Sequence, residues 1–241
     1  MVSLTNPNHS FFSHRAFTFV SSDPAYGDRF VCVLDTVASA FDTAFPDVQK
    51  QSLSVMIRHT DEDPVCYKVC KLIFLDVEPM YWCQAAFQFS HELCHYMIPE
   101  GVPRDLKWLE EVVCETASLF FLPIVEVIWH SSPSIPHQRY AHFFSSYKED
   151  LSKQIRVEDL TSQSVQQHLQ IERYDRKLNR YIASLFLPSF SETPQLWTCI
   201  PSLARIPSGL SVVDAIRKWS SVSPDNFSEE FNHLLHLFVA D

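Results

Sequence analysis

Apolar residues near the beginning of the chain follow two spacings, which predict a helix and two strands. Between residues 30 and 45 the apolar positions recur at helical intervals, and Pro46 would end that helix. The apolar runs over residues 53–57 and 71–77 are short and rich in branched side chains, which predicts strands. The second run is predicted to be buried on at least one face. This region is therefore expected to combine helix and sheet.

The rest of the chain shows helical spacing, interrupted at several points by proline. We predict helices over residues 82–97, 105–121, 134–154, 163–187, 211–220 and 227–239. Strands followed by a run of helices are typical of the α+β class. The expected fold is a small mixed sheet followed by a mostly helical C-terminal part.

Composition and charge exclude some classes of function. The chain has 241 residues, of which 46% are hydrophobic and 20% charged, as in a folded protein large enough for its own core. Its 29 acidic and 19 basic residues give a net charge of −10, which disfavours nucleic-acid binding. Arg173, Arg176, Lys177 and Arg180 form a basic run that we interpret as a solvated helix face. Only three glycines are present, which argues against glycine-rich phosphate loops.

Cysteine usage and the apolar runs bear on the cellular location. Seven cysteines without the spacing of a disulfide scaffold favour reduced thiols in a cytoplasm. The first fourteen residues show no basic region followed by an apolar stretch, so we predict no signal peptide. The longest apolar run, residues 117–129, is interrupted by Pro123 and Glu126 and is short for a membrane span. We therefore predict a cytoplasmic protein that does not bind membranes.

An H-E-x-x-H motif, formed by His91, Glu92 and His95, is the strongest chemical signal in the chain. Two histidines four residues apart project from one face of a helix, so both imidazoles can reach one metal ion. In this motif the glutamate lies beside the metal without ligating it, which is the position of a general base. Because the motif falls within the helix predicted over residues 82–97, we predict a zinc site with Glu92 as the catalytic residue.

A catalytic zinc site needs a third protein ligand and keeps a fourth position for water. The helix predicted over residues 105–121 offers Glu110, Glu111 and Glu115. Glu111 and Glu115 lie four residues apart on one helix face, whereas Glu110 points about a quarter turn away. We favour Glu111 as the ligand and Glu115 as the acceptor that orients a histidine N–H. The reverse choice, with Glu115 as the ligand, stays open.

At these residues the chain resembles the gluzincin metallopeptidases, the thermolysin-like clan of zinc enzymes. The segment over residues 108–111, WLEE, resembles the W-L-x-E of the aminopeptidase branch, which implies Glu111 as the ligand. Glu115 matches the acid that stands four residues beyond the ligand in the thermolysin pattern. Glu111 follows His95 by sixteen residues, a shorter spacing than in either branch, whereas Glu115 at twenty fits them better. The third ligand stays open between these two residues.

The resemblance covers residues 71–120 and implies a single zincin-like domain. Its parts would be an α/β part with an edge strand over residues 1–81, metal-binding helices over 82–121 and a helical part over 122–241. An edge strand before the active-site helix binds extended substrate backbone in this clan, and residues 71–77 stand in the matching place. The clan's substrate-clamping G-x-M-E-N motif is absent from the chain.

The function that the resemblance implies is zinc-dependent hydrolysis, most readily of a peptide or protein substrate. Zinc would lower the pKa of a bound water, and Glu92 would take its proton as the water attacks a carbonyl group. One alternative is a non-catalytic zinc-binding scaffold that regulates or binds a partner protein. Another is a helical interaction protein in which the motif has no role. The sequence gives neither the substrate specificity nor the oligomeric state.

Overall fold

The structure, a computed structural model, describes residues 4–12, 15–21, 28–45, 53–60, 62–172 and 174–240. Pro46 and Arg173, two residues used in the sequence predictions, lie outside these ranges. The strands are β1 Leu4–Phe12, β2 Arg15–Ser21, β3 Leu53–Arg58, β4 Val65–Tyr67 and β5 Leu72–Asp76. The helices are α1 Asp28–Ala44, α2 Trp82–Met97, α3 Lys107–His130, α4 Ile135–Tyr140, α5 His142–Ser152, α6 Gln163–Ile171, α7 Arg176–Glu192, α8 Val212–Val222 and α9 Ser228–His236.

The five strands form one mixed sheet in the order β1-β2-β3-β5-β4. β3 pairs in parallel with β2 and with β5, while β1 and β4 pair antiparallel with their neighbours. The prediction that residues 71–77 form an edge strand is therefore wrong, because β5 lies between β3 and β4. The three-residue strand β4 takes the edge position on this side of the sheet. Its length of only three residues left it unpredicted from the sequence.

One face of β3 and of β5 is buried, in line with the alternation of side chains along a strand. Leu53, Val55 and Ile57 of β3 are buried, and so are Ile73 and Leu75 of β5. The residues between them are only partly buried. This pattern confirms that the two predicted strands are elements of a half-buried sheet. The fold thus combines a small mixed sheet with many helices, as the α+β prediction requires.

Helix α2, which carries the H-E-x-x-H motif, has the predicted bounds, residues 82–97. Helix α3 extends well beyond its predicted end at residue 121. Pro123 lies inside α3, where it removes one backbone hydrogen bond at a cost of about 3 kcal/mol. Val125 and Trp129, both buried, follow it. Burying each such side chain contributes about 1.5–3 kcal/mol, which offsets that cost. The burial of side chains after Pro123 therefore stabilises the continuation of α3 beyond the proline.

Two helices predicted as continuous are each divided in two. The helix predicted over residues 163–187 is α6 and α7, because Asp175 begins a new helix by accepting a hydrogen bond from the Leu178 N–H at 3.2 Å. The helix predicted over residues 134–154 is α4 and α5. The Ser145 N–H in the first turn of α5 donates to Glu126 at 3.2 Å, which satisfies a backbone donor at the new helix start.

The chain divides into two compact units, and α3 contributes to both. One unit comprises the described residues up to Tyr96 together with Ala117–Asp150, and it contains the sheet. The other comprises Met97–Thr116 and the described residues from Leu151 onward, and it is helical. The interior of the helical unit is built from large side chains, among them Trp108, Trp197 and Trp219. The single domain expected from the sequence stays a prediction.

The segment Arg104–His130, which contains α3, is long and apolar enough to cross a membrane by length and composition. Its most apolar window of 18 residues has a mean hydropathy of 1.8, and 67% of that window is buried inside the protein. Core helices of folded proteins combine the same length, composition and burial. The segment is therefore weak evidence for a membrane span, and the predicted lack of membrane binding stays a prediction.

Tyr140 of α4 fixes the beginning of α2. Its hydroxyl oxygen accepts a hydrogen bond from the Cys83 N–H at 3.2 Å and lies 3.4 Å from both the Met80 carbonyl oxygen and the Cys83 sulfur. Burial raises the pKa of the Tyr140 hydroxyl, and the hydrogen bond to Cys83 raises it further. The ring packs against Trp82, with centroids 4.6 Å apart. Tyr140 thus supplies an acceptor for one of the backbone donors that a helix start leaves without an intrahelical partner.

We expect Tyr140→Phe to lower the free energy of unfolding by about 1–2 kcal/mol, because the half-buried Cys83 N–H loses its acceptor while the ring packing remains. Urea denaturation followed by circular dichroism measures this difference. Tyr67→Phe is a matched control, since Tyr67 is exposed and packs through its ring on Phe74. An equal loss in both variants would contradict the assigned role of the Tyr140 hydroxyl.

Candidate metal centre

Helix α2 presents the two motif histidines on a partly exposed face. Its buried side includes Phe89, Leu93 and Met97. His91 and His95, by contrast, are partly exposed, as are Gln88 and Gln84, which lie one and two turns before His91. The spacing 84, 88, 91, 95 follows the helical repeat, so these four side chains share one face. The apolar pattern of α2 therefore directs both imidazoles away from the core.

Gln88 ties this face of α2 to the end of β5. The Asp76 backbone N–H donates to Gln88 Oε1 at 2.9 Å, and Gln88 Nε2 donates to the Asp76 carbonyl oxygen at 2.7 Å. The Asp76 carboxylate in turn accepts from the Thr60 N–H at 2.8 Å, beyond the end of β3. This double hydrogen bond fixes α2 against the sheet three residues before His91. The sequence analysis did not identify Gln88, since a glutamine carries no metal or acid–base signal.

Helices α2 and α3 are joined by a hydrogen bond near the motif. The Ser118 hydroxyl donates to the Phe87 carbonyl oxygen at 3.0 Å. Phe87 lies one turn before His91 on α2, and Ser118 lies two turns after Glu111 on α3. This bond joins α2 to the part of α3 that belongs to the same compact unit.

His91, His95 and Glu111 come together as a group that could hold a metal ion. Each offers one ligand atom, and these atoms all lie within 4.8 Å of one another. The Nε2 atoms of the two histidines are 3.2 Å apart. Ligands at 2.0–2.1 Å from a tetrahedral zinc ion would be about 3.3 Å apart, so the spacing of the imidazoles fits such an ion. Two imidazoles and one carboxylate are a ligand set that zinc enzymes use.

Glu92, the predicted general base, lies on α2 directly after the first histidine. Its side chain is 4% exposed, so it belongs to the buried polar groups of the protein. A carboxylate with little access to water interacts strongly with nearby donors and charges. The role of Glu92 as the general base stays a prediction.

The other two candidate glutamates of α3 are bound to basic side chains. Glu110, which is fully buried, accepts a hydrogen bond from Lys107 Nζ at 2.5 Å. Glu115, which is 7% exposed, accepts from Arg180 Nε at 2.5 Å. The predicted role of Glu115 was to orient a histidine N–H. In the structure its Oε1 atom accepts from the guanidinium of Arg180, and the role toward a histidine stays a prediction.

The predicted solvated face of the basic run is wrong for one of its members. Arg176 and Lys177 are exposed, as predicted, but Arg180 is only 9% exposed and pairs with Glu115. Its partner lies 65 positions earlier in the chain. Local spacing cannot reveal such a pairing. A buried arginine within the C-terminal helices is thus a feature that only the folded chain shows.

Comparison with known proteins gives a structural likeness without a sequence match. No protein-family model matches the chain, and no curated protein sequence matches it. A crystal structure of an M1 zinc metallopeptidase from Deinococcus radiodurans is similar over 99% of this chain, with a TM-score of 0.54 and 10% sequence identity. The chain spans about half of that protein, 51% of its length. At this identity the likeness shows that the two chains share a similar fold.

Proposed function

We propose that the protein is a zinc-dependent metallohydrolase of the zincin type. The observation that carries the proposal is the group formed by His91, His95 and Glu111, whose ligand atoms lie within 4.8 Å of one another. The fold it shares with a zinc metallopeptidase supports the same conclusion. Imidazole suits zinc, copper, iron and nickel, and a site with two imidazoles and one carboxylate is familiar from zinc hydrolases.

In the proposed reaction the metal ligands and Glu92 would have different roles. A zinc ion, when bound, would supply Lewis acidity that lowers the pKa of water and polarises a carbonyl group. His91, His95 and Glu111 would hold that ion. Glu92, one residue after a ligand and buried, would accept a proton at its carboxylate and pass it to the leaving group. Gln88 would keep α2 in place through its two hydrogen bonds to Asp76.

Peptides are the substrate class that we propose. An extended peptide can add to an exposed sheet edge through main-chain hydrogen bonds. In this chain the edge strand next to β5 is β4, which has three residues, Val65–Tyr67. A strand of this length would pair with two or three substrate residues. The proposed peptide site is therefore short. We assign it to β4, whereas the sequence analysis assigned it to the segment that forms β5.

Metal analysis and chelation test the proposal. We expect the purified protein to contain about one zinc ion per chain and to hydrolyse members of a mixed fluorogenic peptide set. Dialysis against a chelator should abolish hydrolysis, and added zinc should restore it, while magnesium should not. Protein that folds but takes up no zinc at micromolar concentration would remove the basis of the proposal.

A further inference from the structure

We propose that Arg180 decides which glutamate of α3 is available to a metal ion. Its guanidinium holds Glu115, and this leaves Glu111 as the third ligand. Arg180 would then be a positioning residue, since it acts through Glu115. The inference rests on the proposed function because it requires the zinc site that includes Glu111.

The starting point is that Glu111 and Glu115 are equivalent by their place on the helix. They are four residues apart, so their side chains share one face, with their Cβ atoms about 5–6 Å apart. Both side chains are long enough to turn toward a common ion near that face. Helix geometry alone therefore does not choose between them. The choice has to come from what each carboxylate binds.

Arg180 makes that choice through a buried ion pair. Its Nε atom lies 2.5 Å from Glu115 Oε1, and both side chains have little access to water. A buried charge without its partner is strongly unfavourable, so a carboxylate held in this way is costly to withdraw. Glu111, in contrast, lies in the group with His91 and His95. The guanidinium thus competes with a metal ion for Glu115 and holds it.

Lys107 shows the same arrangement at the remaining glutamate of this helix segment. Its ammonium lies 2.5 Å from Glu110 Oε2, and Glu110 is fully buried. Two of the three candidate ligands are therefore each paired with a cation. Glu110 differs in that it does not share the helix face of Glu111. Lys107 therefore serves as a matched control for Arg180.

A rescue experiment tests the assignment, with zinc affinity measured by competition with a chromophoric chelator. We expect Glu111→Ala to weaken zinc binding by about 100-fold or more, since the loss of an outer-shell partner alone costs 10–100-fold. Adding Arg180→Met to this variant should recover at least about tenfold, because Glu115 is released and can turn to the ion. A third substitution, Glu115→Gln, should abolish the recovery. Adding Lys107→Met to Glu111→Ala should give no recovery of zinc affinity.

Two results would overturn the inference without removing zinc binding by the protein. The first is a double variant Glu111→Ala/Arg180→Met that shows a native circular dichroism spectrum and binds zinc no more tightly than Glu111→Ala. The second does not depend on the folding of an Arg180 variant. Glu115→Gln in the otherwise unchanged protein should keep its zinc affinity within about threefold, well below the 10–100-fold loss expected for a ligand's partner, because the Glu115 carboxylate binds Arg180 and is not in the group with the histidines. A loss as large as that of Glu111→Ala would make Glu115 the ligand.

A different result would count against the proposed function itself. If Glu111→Ala binds zinc as tightly as the unchanged protein, Glu111 is not a ligand, and both the ligand set and the inference fail. Hydrolysis is not needed for any of these measurements. The outcome for Arg180 is therefore separate from the question of catalysis.

Discussion

Glu92→Gln should abolish hydrolysis while the protein keeps its zinc and its fold. Glutamine has nearly the same shape as glutamate and can occupy the same buried place, but it cannot accept a proton. General acid–base groups contribute about 10²–10⁴-fold to rates, so we expect kcat to fall by about that factor. Zinc content should not change, because Glu92 is not in the group of residues that could hold the ion. This combination separates an enzyme from a zinc-binding scaffold.

The measurement pairs peptide hydrolysis with zinc content for both proteins. Glu229→Gln makes the same chemical change on the exposed side of α9 and should match the unchanged protein in both respects. If Glu92→Gln hydrolyses the peptides at the rate of the unchanged protein, Glu92 is not the base. The scaffold alternative predicts instead that neither protein shows hydrolysis, although both bind zinc.

The local part of the candidate site could be predicted from the sequence. A helix repeat places residues four apart on one face, and this is enough to bring His91 and His95 together within α2. The bounds of α2 followed from its apolar pattern for the same reason. Glu111 was favoured from a resemblance in the segment that begins at Trp108. The structure places Glu111 within 4.8 Å of the two histidines.

The parts that depend on distant segments could not be predicted. Arg180 pairs with Glu115 across 65 positions of sequence, and its neighbours in the chain gave it the pattern of a solvated face. Gln88 pairs with backbone atoms of Asp76, which no side-chain pattern reveals. In both cases the partner is chosen by packing rather than by local spacing.

The order of the strands in the sheet was a second feature that could not be predicted from the sequence. The apolar runs of β3 and β5 predicted strands, but their order in the sheet depends on which segments pair. β4 has only three residues, too few to show an alternating pattern, yet it pairs with β5 and takes the edge. An assignment of the substrate edge therefore needs the pairing pattern, which the hydrophobic pattern alone does not contain.

His95→Ala should remove most of the effect of zinc on thermal stability. The side chain is partly exposed, so its truncation leaves no closed cavity and the metal-free protein should remain folded. With one of three ligands lost, we expect zinc affinity to fall by about 100-fold or more, which corresponds to about 2.7 kcal/mol. At a zinc concentration of 100 times the Kd of the unchanged protein, zinc stabilises that protein by about 2.7 kcal/mol and the variant by at most about 0.4 kcal/mol.

For a chain of this length, 1 kcal/mol shifts Tm by about 2–4 °C, so zinc should raise Tm by about 5–10 °C in the unchanged protein and by about 1 °C in His95→Ala. Differential scanning calorimetry with and without zinc measures both shifts. His130→Ala, which removes an exposed imidazole from the end of α3, should respond as the unchanged protein does. Equal shifts in all three proteins would mean that zinc binds elsewhere. A shift that disappears only in His95→Ala would connect the bound ion to the H-E-x-x-H helix.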